Sequence, residues 1–168
     1  MKKLFFASIF LFSSSLGWSQ SADDLFKEGE TKRRGGQIKE AIALYDKAIA
    51  LDKDKADALY QRGFCYARQN EFEKAHADYS QVIALKPGFV WAYISRGSAL
   101  NKLKRFQEAL TDFNKALELE PENQEAFNNR GWAKKGLGDD KAACDDWKKS
   151  KKMGNEEAKI ILGNSGCR

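Results

Sequence analysis

The chain has 168 residues, room for one domain of ordinary size, and its 12% aromatic content with only two prolines excludes a disordered chain. Charged residues reach 32% with both signs mixed, which suits a soluble helical protein with a modest core. The formal charge of +5 includes Lys2 and Lys3. Without them 27 of the 29 basic residues face 24 acidic ones, and a balance near +3 argues no nucleic-acid partner.

The first twenty residues differ from the rest. Lys2-Lys3 is a short positive segment, Leu4 to Phe12 is apolar apart from one serine, and Ser13 to Ser19 is mostly small and polar. This three-part plan predicts a secretory signal peptide over 1–19, with Gly17 and Ser19 as the small pair before the cut and Gln20 as the first mature residue. A membrane anchor is the alternative, but the apolar run is shorter than the ~20 residues a span needs. No cysteine stands at the cut to carry a lipid. The expectation is an exported protein, periplasmic or extracellular, with no stable membrane span after cleavage.

From residue 22 onward a 34-residue period governs the chain. Gly29, Gly63, Gly97 and Gly131 keep it, as do Ala41, Ala75, Ala109 and Ala143. Tyr45, Tyr79, Phe113 and Trp147 form a third column, and Leu25, Leu59, Tyr93 and Phe127 a fourth. The blocks are 22–55, 56–89, 90–123 and 124–157. Within each, apolar residues recur at i, i+4 and i+7 on both sides of a turn-like break, which predicts helix A, a tight turn and helix B. The breaks hold Gly35-Gly36, Gln69-Asn70, Lys104-Arg105 and Gly136-Leu137-Gly138, where glycine or asparagine supplies a left-handed residue. Pro87 and Pro121 fall between blocks and forbid a continuous helix.

These columns together resemble the tetratricopeptide repeat, over residues 22–157. The resemblance implies an all-α superhelical solenoid of four hairpins. The outer blocks depart from the pattern: Lys32 and Lys134 stand where Tyr66 gives an aromatic, and Asp140 where Ile38, Phe72 and Phe106 are apolar. Residues 158–168 look like the family's cap helix and tail, with Ala158 to Leu162 bringing three apolar side chains onto the last helix B.

In this family one face of helix A lines a concave groove that binds proteins or peptides. Carried over by position, that face presents Phe26, Tyr60, Ile94 and Asn128 in one row and Glu30, Phe64, Ser98 and Trp132 in the next, with Trp91 beside them. Arg33, Arg34, Arg68, Lys102 and Lys135 stand near the helix ends. Aromatic rings flanked by cations suit a peptide with apolar anchors and acidic groups. Packing of some rings between repeats is the other reading, and basic residues also complement a helix C-terminus. The family's lysine/asparagine carboxylate clamp does not carry over, because aromatics hold most of those positions.

A second regularity is electrostatic. Arg62, Arg96 and Arg130 precede the glycine column, and Asp78, Asp112 and Asp146 precede the aromatic column; the first block lacks both, with Glu28 and Leu44 instead. Joint presence and absence predict an ion pair inside each hairpin, the arginines being structural rather than ligand hooks. Of three cysteines, Cys65 lies two repeats away from the others. A cap helix running back from a turn near 153–154 brings position 163 level with Cys144, so Gly163 to Gly166 can fold Cys167 over to bridge it. The alternative is a small buried Cys144 and a frayed tail thiol.

No catalytic signature occurs. His76 is the lone histidine, read as an exposed helix residue, and neither a nucleophile elbow nor a phosphate loop is present. No Cys/His cluster suits a metal, and no cofactor is implied. The lysine run 148–152 reads as a solvated helix end. The expectation is a non-enzymatic scaffold or adaptor that binds a protein or peptide; a permanent structural subunit of an envelope complex is the alternative.

Overall fold

The structure, a computed structural model, describes residues 20–167. The predicted signal peptide lies outside them. Nine α-helices and no strand occur among the described residues. They are α1 (Ala22–Arg34), α2 (Ile38–Leu51), α3 (Ala56–Arg68), α4 (Phe72–Leu85), α5 (Val90–Lys102), α6 (Phe106–Leu119), α7 (Gln124–Gly136), α8 (Asp140–Lys152) and α9 (Glu156–Asn164). The first eight form four hairpins, and each hairpin packs on the next.

Local chemistry sets the ends. Ser21 and Asp24 close a capping box on α1, and the side chains of Asn123, Asp139 and Asn155 accept from backbone N–H groups of α7, α8 and α9. Each A–B turn has one left-handed residue: Gly36, Asn70, Lys104 and Gly138, again 34 apart. The third is therefore a lysine rather than the expected glycine or asparagine. Its φ of 61° is held at a cost of about 1–2 kcal/mol by the packing on either side.

The glycine column is explained by rings. A Cβ on Gly97 would lie 2.8 Å from Phe113, and one on Gly63 would lie 2.9 Å from Tyr79, both within the same hairpin. Those rings are buried and cannot swing aside, so helix A approaches helix B only where it has no side chain. The four column alanines are fully buried where the helices pack. The core is accordingly a chain of small clusters bridging neighbouring helices rather than one central mass, as expected of a stacked array.

The cap differs from expectation at both ends. Helix α9 starts at Glu156, inside the fourth block, because Asn155 supplies its N-cap. It also runs through Gly163, so the turn toward Cys167 is confined to Ser165 and Gly166, the latter with φ +64°. Ala158, Ile161 and Leu162 pack on Ala143 and Trp147, while Ile160 is 64% exposed. Two of the three large apolar residues thus face inward. Cys144 and Cys167 are joined in a disulfide with Cα atoms 5.6 Å apart.

Candidate functional site

Consecutive A helices touch one another, α3 against α5 and α5 against α7. Their shared face carries two adjoining hollows. The first, about 430 Å³, has a floor of Tyr60, Phe64, Phe72 and Ile94 and a rim of Trp91, Glu125, Arg68 and Lys102. The second, about 500 Å³, lies between Phe106 and Trp132, with Asn101, Asn129, Lys135 and Glu157 around it. Ser98 and Lys102 line both, so the two form one track. Trp91, Ile94, Ser95, Ser98 and Lys102 recur at helical spacing, which places them on one face of α5.

Not every residue of the expected rows lies open. Trp91 and Trp132 are exposed at 47% and 41%, and Arg68, Lys102 and Lys135 are exposed. Ile94 is only 3% exposed and serves as floor. Asn128 is fully buried: the cap helix lies over it and Glu157 accepts its side-chain N–H at 2.9 Å. It is no groove residue. Phe26 lines neither hollow; it packs in the first cluster at 5.9 Å from Tyr45, with the Lys55 ammonium over its ring. Tyr60 is half-buried between Tyr79 and Phe89 and shares a hydrogen bond with Ser95 at 3.2 Å. It joins two repeats as well as lining the hollow. Glu30 is also turned inward, accepting from the Tyr45 hydroxyl at 2.5 Å and from Arg33 at 2.9 and 2.8 Å. The Arg33 hydrogen bonds hold the Glu30 carboxyl below its ordinary range.

The cations of this face differ in what they are already bound to. Arg33 is held by Glu30 and stacks 5.6 Å from the Phe64 ring, and Lys135 reaches Asp140 at 2.9 Å. Arg68 and Lys102 have no ion-pair partner among the described residues.

The arginine–aspartate contacts line neither hollow and tie the helices to one another. Arg62 donates from Nε and Nη2 to Asp78 at 2.9 and 2.6 Å, Arg96 to Asp112 at 2.8 and 2.6 Å, and Arg130 to Asp146 at 2.7 and 2.8 Å. The third arginine nitrogen reaches back one block, to Asp46 at 2.7 Å, Ser80 at 3.1 Å and Asn114 at 2.7 Å. Sequence reasoning missed this second tie, although 46, 80 and 114 are themselves a polar column. Burial pushes the Asp78 carboxyl above its ordinary value, with Arg62 opposing. In the last hairpin Lys134 adds a second cation to Asp146 at 2.7 Å, which accounts for a lysine where Tyr66 stands in the second.

The remaining singled-out groups offer no chemistry at this track. His76 is half-buried on α4 rather than exposed, and burial lowers its pKa. Cys65 is fully buried. No group of three metal-ligating side chains occurs among the described residues. None of their helices is long and apolar enough to cross a membrane.

No curated protein matches the chain. Among solved structures, MamA residues 41 to end from Desulfovibrio magneticus RS-1 superposes with a TM-score of 0.80 at 20% identity, covering 88% of this chain and 85% of that one. A crystal structure of MamA protein gives 0.74 at 26%, covering 84% and 77%. The first TPR of Spaghetti (RPAP3), bound to the HSP90 peptide SRMEEVD, gives 0.68 at 32%, covering 71% and 95%. The family described as TPR repeat matches residues 29–70, and that described as Tetratricopeptide repeat matches 56–89 and 90–123. With those matches, four stacked helical hairpins and 32% identity to a solved TPR over 71% of this chain, the chain belongs to the tetratricopeptide-repeat family.

Proposed function

We propose that this protein is an exported, non-catalytic scaffold that holds a peptide or protein partner on the track formed by α3, α5 and α7. One observation carries the reading: uncovered rings and two cations with no ion-pair partner among the described residues line adjoining hollows on one face. Exposed aromatic rings beside a charged group are the usual anchors of an interface. The similarity to a TPR domain bound to a peptide supports the same reading. The experiment is photo-cross-linking of a captured partner from position 98, which lines both hollows, with position 141 on α8 as control. Trp91→Ala is expected to weaken capture by about 1–4 kcal/mol while helicity and melting stay nearly unchanged. Equal cross-linking from both positions, or full capture by the variant, would sink the groove. Tyr60→Ala is a poorer probe, since its ring also packs between repeats.

The cell-envelope location rests on the N-terminal sequence pattern, and a disulfide suits an oxidising compartment. Sequencing of protein from the envelope fraction is expected to begin at Gln20 or within a few residues of it. An intact Met1 chain in the membrane pellet would support an anchor instead.

A permanent subunit of an envelope complex is the second reading. It draws on Leu51, Leu85, Leu119 and Met153, an exposed apolar row with one member per block, outside both hollows of the track. Purification only as a fixed-stoichiometry complex would favour it.

A further inference from the structure

The track carries opposite charge at its two edges. Helices α3, α5 and α7 cross it side by side, and their last turns place Arg68, Lys102 and Lys135 along one edge. At the other edge the first turns of α5 and α7 place Trp91 and Glu125. Glu120 and Glu122 stand beside them in a neighbouring hollow that Trp91 and Glu125 also line. An exposed indole among carboxylates attracts a cation, through the ring face and through charge. Arg68 and Lys102, with no acidic partner among the described residues, attract a carboxylate. Between the edges the floor is apolar in the first hollow, and Asn101 and Asn129 lie between Phe106 and Trp132 in the second.

Two lengths select the occupant. From residue 91 to residue 102 the rise along α5 is about 16 Å, and an α-helix with its side chains is about 10–12 Å wide. The gap therefore admits a helix lying across the A helices, with room for a charged side chain at each flank. Packed helix axes lie about 8–10 Å apart, so Arg68 on α3 and Lys102 on α5 stand at about that spacing along the basic edge, while Lys135 on α7 is already held by Asp140. Seven residues of a helix rise about 10.5 Å and return to the same face. Three residues of a strand also span about 10 Å, but they point to opposite faces. A helix can match the Arg68–Lys102 pair from one face where a strand cannot.

We infer that the track binds an amphipathic α-helix of another protein, apolar along its inner face, acidic along one flank at heptad spacing and basic along the other. This rests on the groove reading and gives its partner a chemistry. The test uses the protein from Gln20 onward and four fluorescent three-heptad probes sharing one leucine face. One probe carries glutamate on one flank and lysine on the other; two carry glutamate or lysine on both flanks. The fourth is the mixed probe with a central proline. Anisotropy is expected to show the mixed probe binding at least about ten-fold tighter than the other three. The double variant Arg68→Glu/Lys102→Glu, shown folded by circular dichroism, is expected to shift the preference to the all-lysine probe. Equal binding of the three unbroken probes overturns the inference while leaving the groove in place. Full binding of the proline probe replaces the helix with an extended segment, and preference for the all-glutamate probe removes the acidic edge. Binding of none overturns the inference, and the cross-linking at position 98 judges the groove separately.

Discussion

Replacing Arg96 with alanine is expected to lower stability by about 3–5 kcal/mol, the cost of leaving a buried carboxylate without its partner. Asp112 is the group at risk. Its side chain is only 5% exposed, and both its oxygens accept from Arg96, at 2.8 and 2.6 Å. The same arginine holds Ser80 in the preceding hairpin, so its loss also loosens the joint between repeats. Arg96 itself is 22% exposed and can turn its guanidinium to water, so Asp112→Ala should cost less than Arg96→Ala. Arg96→Leu/Asp112→Leu removes both charges and should recover much of the loss, because a buried ion pair gains little over apolar packing. Urea denaturation of the four proteins measures this. Equal costs for the two alanine variants would mean that water already reaches Asp112 and that the contact is incidental.

The helical hairpins are legible in the sequence because a 34-residue period repeats every packing requirement. Gly97 against Phe113 is the same contact as Gly63 against Tyr79, and four columns in register leave little choice of fold. The Arg–Asp offset of 16 can be read in the same way, since both partners recur or vanish together.

Legibility falls where a residue's surroundings are not periodic. Asn128 occupies the column of Tyr60, yet it faces a cap helix with its own sequence, and Glu157 reaches it from there. Ile94 sits in the middle of the array, with neighbours on both sides, and sinks into the floor. Phe26, in the first block, turns to Tyr45. Position in a column fixes direction along a helix; openness depends on what lies over that helix. Lys104 shows the same limit in the backbone, because packing on either side of the turn outweighs its reluctance to adopt positive φ.

Reduction of the Cys144–Cys167 disulfide is expected to lower the stability of the C-terminal end by about 3 kcal/mol. The bridge closes a segment of 23 residues, and the loop-closure entropy returned to the unfolded chain gives that magnitude. The effect should be local. Helix α9 has nine residues, too few to persist alone, and its neighbour is α8. In a stacked array the loss of an end unit need not unfold the middle. Hydrogen exchange under reducing conditions should therefore quicken over residues 156–167 and change little over 56–119. Trp147, 1% exposed beneath the cap, should gain access to a quencher, and Asn128 loses its partner at the same step. Cys144→Ser should reproduce these changes without reductant. Cys65 should take no part: it is fully buried, and burial pushes its thiol up to about 11, so little thiolate forms near neutrality. Peptide mapping of unreduced protein is then expected to give one cross-link, 144 to 167, with Cys65 alkylated only after unfolding. Unchanged exchange in α9 on reduction would mean that Ala158, Ile161 and Leu162 hold the cap without the bridge.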